Sequence, residues 1–201
     1  PSFLKFKLKK PNVFSGKKYS KPYTKIYEIL IWFETIIPPW IRINRVKRDN
    51  PSQYIVGGSK DGSMRQVIDN EMKLRDLRCM DIRSREVKKQ KIDPQLAKLF
   101  VTIYRASEGT EFFLSYETID RSILFGFLRL RFNDNNNYVY FDELLNAALI
   151  RELHVYGQTV SVNDKTQKDT SSQHKGFGTK LLNMAFKISK ENGYNKIAVI
   201  S

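Results

Sequence analysis

Cysteine is almost absent: Cys79 is the single one in 201 residues. No disulfide framework can form within the chain, and one thiol cannot by itself build a metal or iron–sulfur site, so the usage fits a reducing, cytoplasmic setting. Long hydrophobic runs are missing too. The apolar stretch around Ile29–Ile37 is interrupted by Glu28 and Glu34 and falls short of the roughly 20 residues a membrane span needs, so no membrane helix is expected. An initiator methionine is also lacking. The chain opens at Pro1, and its FLKFKLKK segment alternates with a period of two, unlike a signal peptide or a natural start, which suggests a fragment. Acidic residues are scarce, 21 against 35 Lys and Arg, for a net charge of +14.

The composition that remains, 41% hydrophobic and 28% charged, belongs to a folded globular chain with length enough for one large or two small domains. The basic excess is regional. Residues 1–90 carry 21 Lys and Arg against 9 Asp and Glu, whereas residues 91–201 carry 14 against 12. Such an excess suits a polyanion partner, nucleic acid first, and is equally compatible with a solvated lysine-rich face.

Along the first half, residues 1–25 read as a strand and a wandering connector, and YEILIWFETII (27–37) as a buried helix ended by Pro38 and Pro39. Partial alternation from Ile41 to Val46 suggests a strand closed by a turn at 49–51. Arg42, Arg45, Lys47 and Arg48 crowd beside Trp40, and this aromatic-plus-cation mixture suits RNA or an ordinary exposed strand. After the loop 57–63, residues 64–77 carry Met64, Val67, Ile68, Met72 and Leu74 at helical spacing.

In the second half, EFFLSYET (111–118) and SILFGFLRLRF (122–132) read as a hairpin, YVYFDEL (138–144) as the extension of a neighbouring strand, and ALIRELHVYG (148–157) as a further strand. A polar loop over 158–172 leads to QHKGFG (173–178) and an amphipathic helix with an apolar stripe of Leu181, Leu182, Ala185, Phe186 and Ile188, capped by Gly193. KIAVIS (196–201) is a short buried strand. The order of hairpin, strand, glycine loop, helix and strand predicts an α/β domain with a parallel crossover at its end.

Two glycines two residues apart, immediately before a helix, suggest a phosphate cradle, because unsatisfied N–H groups and partial positive charge gather at a helix N-terminus. A tight strand-to-helix turn would explain them equally well. The pattern is neither the Walker loop, which needs Gly-Lys-Ser/Thr, nor the dinucleotide fingerprint GxGxxG. Gln173, Gly176 and Gly178 resemble instead the Q/R-x-x-G-x-G/A signature of GNAT acetyltransferases, in which this loop holds the pyrophosphate of acetyl-CoA. RELHVYG lies where that fold places the strand that splays from its neighbour to pair with the pantetheine arm.

The resemblance narrows further. PPWIRINRVKRDNP, MRQVIDNEM, CMDIRSREV, FLSYE, LFGFLRLR, IRELHVYG, QHKGFG and KIAVIS occur in this order and look like the C-terminal half of the Elongator catalytic subunit family, the tRNA uridine(34) acetyltransferases. The match runs in patches from about residue 19 to the end, and CxDxRxRE, RELHVYG and QHKGFG are its most specific parts. It implies a GNAT-type fold, a mixed sheet with flanking helices, over residues 79–201, preceded over 1–78 by a basic, tRNA-facing α/β remnant of a radical S-adenosylmethionine domain. It implies acetyl-CoA as cofactor, with S-adenosylmethionine and a 4Fe-4S cluster in the full-length protein, and tRNA and an Elongator-like complex or a homodimer as partners. In that family a deoxyadenosyl radical activates the acetyl methyl group, acetyl-CoA is hydrolysed when tRNA binds, and a carboxymethyl-type group reaches carbon five of the wobble uridine. The cysteine triad for the cluster and the family's later tyrosine-bearing segment are not in this sequence, so by itself the chain is not expected to modify tRNA.

Carried over residue by residue, the backbone of Glu152, Leu153, His154 and Val155 would line the acetyl-CoA arm. Gly176, Phe177, Gly178 and Thr179 would hold the pyrophosphate, with Gln173 and Lys175 in support. Arg42, Arg45, Lys47 and Arg48 would face tRNA. Glu152 and His154 share one strand face and are candidates to activate a water, or else an ion-paired carboxylate and a hydrogen-bonded sheet residue. Cys79 is a lone buried thiol or one ligand of a structural zinc. Two other functions fit the same features: a protein lysine acetyltransferase of the histone type, which would want an acidic acceptor groove, and a non-catalytic RNA-binding or scaffold module.

Overall fold

A computed structural model describes residues 24–46, 52–54, 56, 63–87, 92–134, 139, 141–156 and 176–200. The chain divides into two compact units, Pro1–Ser84 and Arg85–Ser201.

In the first unit, α1 (Thr24–Ile36) stops ahead of Pro38, whose ring cannot continue a helix. The amphipathic helix α2 spans Met64–Leu74 and buries Met64, Ile68 and Met72, spaced four apart, together with Ile31 of α1. Val67 and Leu74 are exposed. Arg75 fastens the two helices by a forked pair of bonds to Glu28, at 2.8 and 2.6 Å. A short helix, α3 (Ile82–Arg85), ends on the first residue of the second unit.

The strand expected over Ile41–Val46 is not formed. Other groups have taken its backbone bonding capacity. The buried Asp81 carboxylate accepts the Ile43 N–H at 2.6 Å, and the Ile41 carbonyl accepts from the Ile82 N–H at 2.9 Å. Arg65 reaches the Ile43 carbonyl at 3.4 Å and Arg83 the Asn44 carbonyl at 2.9 Å. Backbone groups satisfied in this way have no need of a ladder.

Glu34 is buried on α1, and neither carboxylate oxygen has a hydrogen-bond partner. Burial pushes its carboxyl above the usual carboxylate range against the pull of Arg65, and Asp69 and Asp81 push the same way. The Cys79 thiol is near enough to pull back without bonding either oxygen in good geometry. A carboxyl whose pKa is raised by folding contributes stability at low pH and loses it as pH rises through the folded value. Glu34→Gln, neutral at every pH, is therefore expected to match the native chain in acid and exceed it at pH 8, the gap widening by up to about 1.4 kcal/mol per pH unit between the ordinary carboxylate pKa and the raised folded one and staying constant above it. Urea unfolding at a series of pH values checks this, and a gap that does not change with pH would refute it.

The second unit is a five-stranded sheet in the order β1-β2-β3-β4-β5. Its strands are β1 Lys98–Ala106, β2 Gly109–Glu117, β3 Leu124–Asn133, β4 Ala147–Val155 and β5 Lys196–Val199. β1 to β4 run antiparallel, and β5 joins β4 in parallel after the crossover helix α4 (Phe177–Glu191). The mixed α/β order with its terminal parallel crossover is thus present. Helix α4 lays Leu181 and Ala185 on Phe112, Leu114, Leu128, Leu130, Phe132, Ala148 and Ile150, each fully buried Leu or Phe stabilising by on the order of 2 kcal/mol.

Four expectations need correction. β5, expected as a buried strand, is half-buried at Ile197 and Ala198 and exposed at Lys196 and Val199. β1 occupies 98–106, where no strand was predicted. The described residues of 138–144, which are 139 and 141–144, do not extend a strand; Asp142–Leu144 is a 3-10 turn before β4. Phe186 lies outside the α4 core at 46% exposed, and Ser189 is buried in its place, its hydroxyl satisfied by donating to the Ala185 carbonyl at 2.8 Å. Gly193, at φ 84°, ends the helix as expected.

Candidate functional site

Helix α4 begins without a side-chain cap. Gly176 is its N-cap in the left-handed region, φ 68°, and offers no side chain to bond the first turn. The first intrahelical bond runs from the Lys180 N–H to the Gly176 carbonyl, 3.0 Å, so the N–H groups of Phe177, Gly178 and Thr179 have no partner within the helix. Among the described residues, and apart from its chain neighbours, a Cβ at Gly176 would meet no atom within 4 Å. Glycine is required there by φ, not by crowding from the protein. Phe177 is 3% exposed, its ring against Tyr116 and Phe125 with centroids at 4.7 and 5.9 Å. That anchor fixes the helix start and leaves only the Phe177 backbone to face a ligand. A Cβ on Gly178 would lie 3.8 Å from Val155 Cγ2, so the helix mouth opens beside the end of β4.

β4 pairs with β5 over the first part of its length. Parallel pairing covers Ala147↔Lys196 to Ile150↔Val199, with a last bond from the Ile200 N–H to the Ile150 carbonyl at 3.1 Å. On its other edge β4 stays paired to β3 as far as Gly126↔Val155, and the Tyr156 N–H bonds the Phe125 carbonyl at 2.8 Å. The register jumps from Arg129↔Glu152 to Leu130↔Ile150, which makes Arg151 the extra residue of a β-bulge. Among the described residues, the β5-side edge of 152–155 has no strand partner.

The carried-over strand residues divide by face. Glu152 and His154 stand opposite Arg129 and Phe127. Glu152 accepts a 2.8 Å bond from Arg129 Nε, and the exposed His154 ring lies against Phe127 and Tyr156, centroids 6.2 and 4.5 Å away. Arg129 also reaches the Tyr104 hydroxyl at 3.4 Å, and burial pushes that phenol's pKa up. Leu153 and Val155 take the other face, toward α4. Gln173 and Lys175 lie outside the described residues, as do Lys47 and Arg48; Arg42 and Arg45 are exposed. Lys180 escaped the sequence reading. It is an exposed cation in the first turn, where the helix dipole disfavours one, and only that mismatch signalled it.

Cys79 packs partly buried beside Ile31, Met64, Ile68 and Met72. Burial pushes its thiol up to about 11, leaving it protonated at neutral pH. Among the described residues no group of three or more His, Cys, Asp and Glu could hold a metal ion, and no helix is long and apolar enough to cross a membrane. A polar recess of about 240 Å³, lined by Asn133, Asp134, Leu144, Asn146, Ala147 and Tyr194, sits at the opposite end of the β4-α4-β5 crossover from Gly176.

No protein-family model matches the chain. It is 40% identical over 188 residues to Elongator complex protein 3 of Schizosaccharomyces pombe, covering 90% of this chain and 34% of that protein. To the human protein of the same name it is 38% identical, with 93% and 35% covered. To the tRNA uridine(34) acetyltransferase of Methanocaldococcus jannaschii it is 40% identical, with 90% and 35% covered. A solved structure of the archaeal Methanocaldococcus infernus Elp3 with an N-terminus deletion superposes with a TM-score of 0.73 at 35% identity, covering 88% of this chain and 42% of that one. The chain spans about a third of the length of the curated relatives it matches. Over the nine-tenths of its length that align, it is a homologue of Elongator complex protein 3 and of the tRNA uridine(34) acetyltransferases.

Proposed function

We propose that this chain carries the acetyl-CoA-binding, GNAT-type part of a tRNA wobble-uridine acetyltransferase over residues 79–201, and over 1–78 the basic, tRNA-facing end of its radical S-adenosylmethionine region. One observation carries the reading: a helix start with no side-chain cap, whose N–H groups have no helical partner, lies beside the end of β4. The relatives' names, which join tRNA uridine and acetyl transfer, support it.

Acetyl-CoA fits what is present. The N–H groups of Phe177, Gly178 and Thr179, presented by left-handed Gly176, would bond the pyrophosphate at the positive end of α4. Lys180, with Gln173 and Lys175, would add donors and charge. The backbone of 152–155 would pair with the amides of the pantetheine arm as an added strand does. That pairing would orient the thioester along β4, where Glu152 and His154 are the candidates to activate a water. S-adenosylmethionine with a 4Fe-4S cluster would supply radical activation of the acetyl methyl group in the full-length protein. Such a cluster needs several thiolates, so the single, protonated Cys79 does not fit it, and no step is assigned to it.

Incubating the full-length protein with labelled acetyl-CoA and either tRNA or histone peptides tests this. Turnover stimulated by tRNA without peptide labelling is expected; peptide labelling alone would establish the protein lysine acetyltransferase in its place. Arg42→Ala and Arg45→Ala are each expected to weaken tRNA binding several-fold, and to make log affinity against log salt shallower by about one unit if one phosphate contact is lost. Filter binding between low and high salt measures both quantities. Unchanged slopes would remove these residues from the tRNA face.

A further inference from the structure

The segment 41–46 belongs to no strand or helix, yet one peptide within it is held from both sides. Asp81 Oδ1 accepts the Ile43 N–H at 2.6 Å, while Arg65 Nη1 donates to the Ile43 carbonyl at 3.4 Å. The other Asp81 oxygen accepts from Arg65 Nη2 at 3.1 Å and from the Ser84 N–H and hydroxyl at 3.2 and 3.3 Å, so four donors converge on this carboxylate. Asp81 is fully buried. All of these groups lie within the first unit.

A regular strand would have satisfied the same backbone groups through a ladder, with a different result for the side chains. Its period of two sends residues 42 and 45 to opposite faces. Here exposure repeats every three residues: Ile43 and Val46 are half-buried, Val46 against the core of Ile31, Met64, Ile68 and Met72, whereas Arg42 and Arg45 are both exposed. A buried carboxylate paired to an arginine is a weak source of stability, since apolar side chains of similar volume often serve as well or better. What it adds is a fixed backbone beneath two cations, and groups ordered in advance lose less freedom on meeting a partner. We infer that Asp81 is a positioning residue for tRNA: by holding the Ile43 N–H, and through Arg65 the Ile43 carbonyl, it keeps 41–46 off a ladder and presents Arg42 and Arg45 together to the phosphate backbone. This rests on the tRNA reading above.

The test measures tRNA affinity of the full-length protein by filter binding and hydrogen exchange at the Ile43 amide without tRNA. Net charge and positioning give opposite signs for Asp81→Asn. Removing a negative charge from this basic unit would by itself tighten binding to a polyanion. Release of the segment is expected instead to speed exchange at Ile43 and to weaken binding about fivefold. Ser84→Ala, at an exposed position, cuts into the same network with no change of charge and little risk to the fold, and is expected to act in the same direction with a smaller loss, about twofold. With Arg42 and Arg45 both replaced by alanine, neither substitution is expected to weaken binding further, because nothing is left to position. Equal or tighter binding by Asp81→Asn, or a loss that persists in full in the double-alanine background, overturns the positioning role alone. If Asp81→Asn does not fold, Ser84→Ala decides by the same comparison. Native affinity in the Arg42→Ala, Arg45→Ala variant overturns the tRNA reading of these arginines and this inference with it.

Discussion

Gly176→Glu is expected to raise the acetyl-CoA dissociation constant at least about a hundredfold, a loss of about 2.7 kcal/mol. Two costs combine. The left-handed conformation at φ 68° costs a residue bearing Cβ about 1–2 kcal/mol, and the new carboxylate would take the positive helix terminus that the pyrophosphate needs. Gly176→Ala separates the two terms. Among the described residues, chain neighbours aside, its Cβ meets nothing within 4 Å, so it carries the backbone strain without the competing charge; the free variant relieves that strain by leaving the left-handed conformation and must restore it to bind, and a loss of about tenfold is expected. Calorimetry on the full-length variants measures both, with thermal unfolding to show that the sheet survives. If Gly176→Glu bound acetyl-CoA like the native protein, the pyrophosphate would not lie at this helix start.

The helix start and the β2–β3 hairpin were legible because their determinants are local. A left-handed glycine before an amphipathic helix is written into adjacent residues, and the hairpin of β2 and β3 into two apolar runs flanking a polar turn. No run of residues around Arg151 announces the β4 bulge; Glu111, forty residues away, takes part in the bonding of that residue. The phantom strand at Ile41–Val46 failed for a related reason. Its alternation is real, but Asp81, Arg65 and Arg83 claim its backbone from far along the chain.

The missed strand β1 shows how turn chemistry can hide a hairpin. Ser107 and Glu108 form the β1–β2 turn with φ of 45° and 56°, where Gly or Asn is the usual signal. The glycine comes one residue late. Arg131 makes this workable by bonding the carbonyls of Ala106 and Ser107. Gly109 makes room for it, since a Cβ there would lie 2.6 Å from Arg131 Cζ. The turn is thus specified by a residue on β3, which a reading of neighbouring positions cannot reach.

Glu117→Ala is expected to destabilise the second unit by about 3–5 kcal/mol, the cost of breaking a buried pair by removing one partner. Glu117 is fully buried and is the hub of a charge cluster. Its Oε2 faces Arg85 Nη1 and Arg121 Nε, each at 2.8 Å, and its Oε1 accepts from the Ser115 hydroxyl at 2.6 Å. Arg121 is 28% exposed and has the Phe100 ring below it, so water can take over its solvation. Arg85, 3% exposed, has no such escape, and its guanidinium dominates the cost. The double substitution Arg85→Met with Glu117→Met removes both charges at similar volume and is expected to cost less than Glu117→Ala alone, as replacing a whole buried pair generally does. Urea unfolding of the single and double variants at neutral pH measures the coupling. A double variant as unstable as the sum of its singles would mean that Arg85 is held by its other neighbours and that Glu117 contributes packing rather than charge.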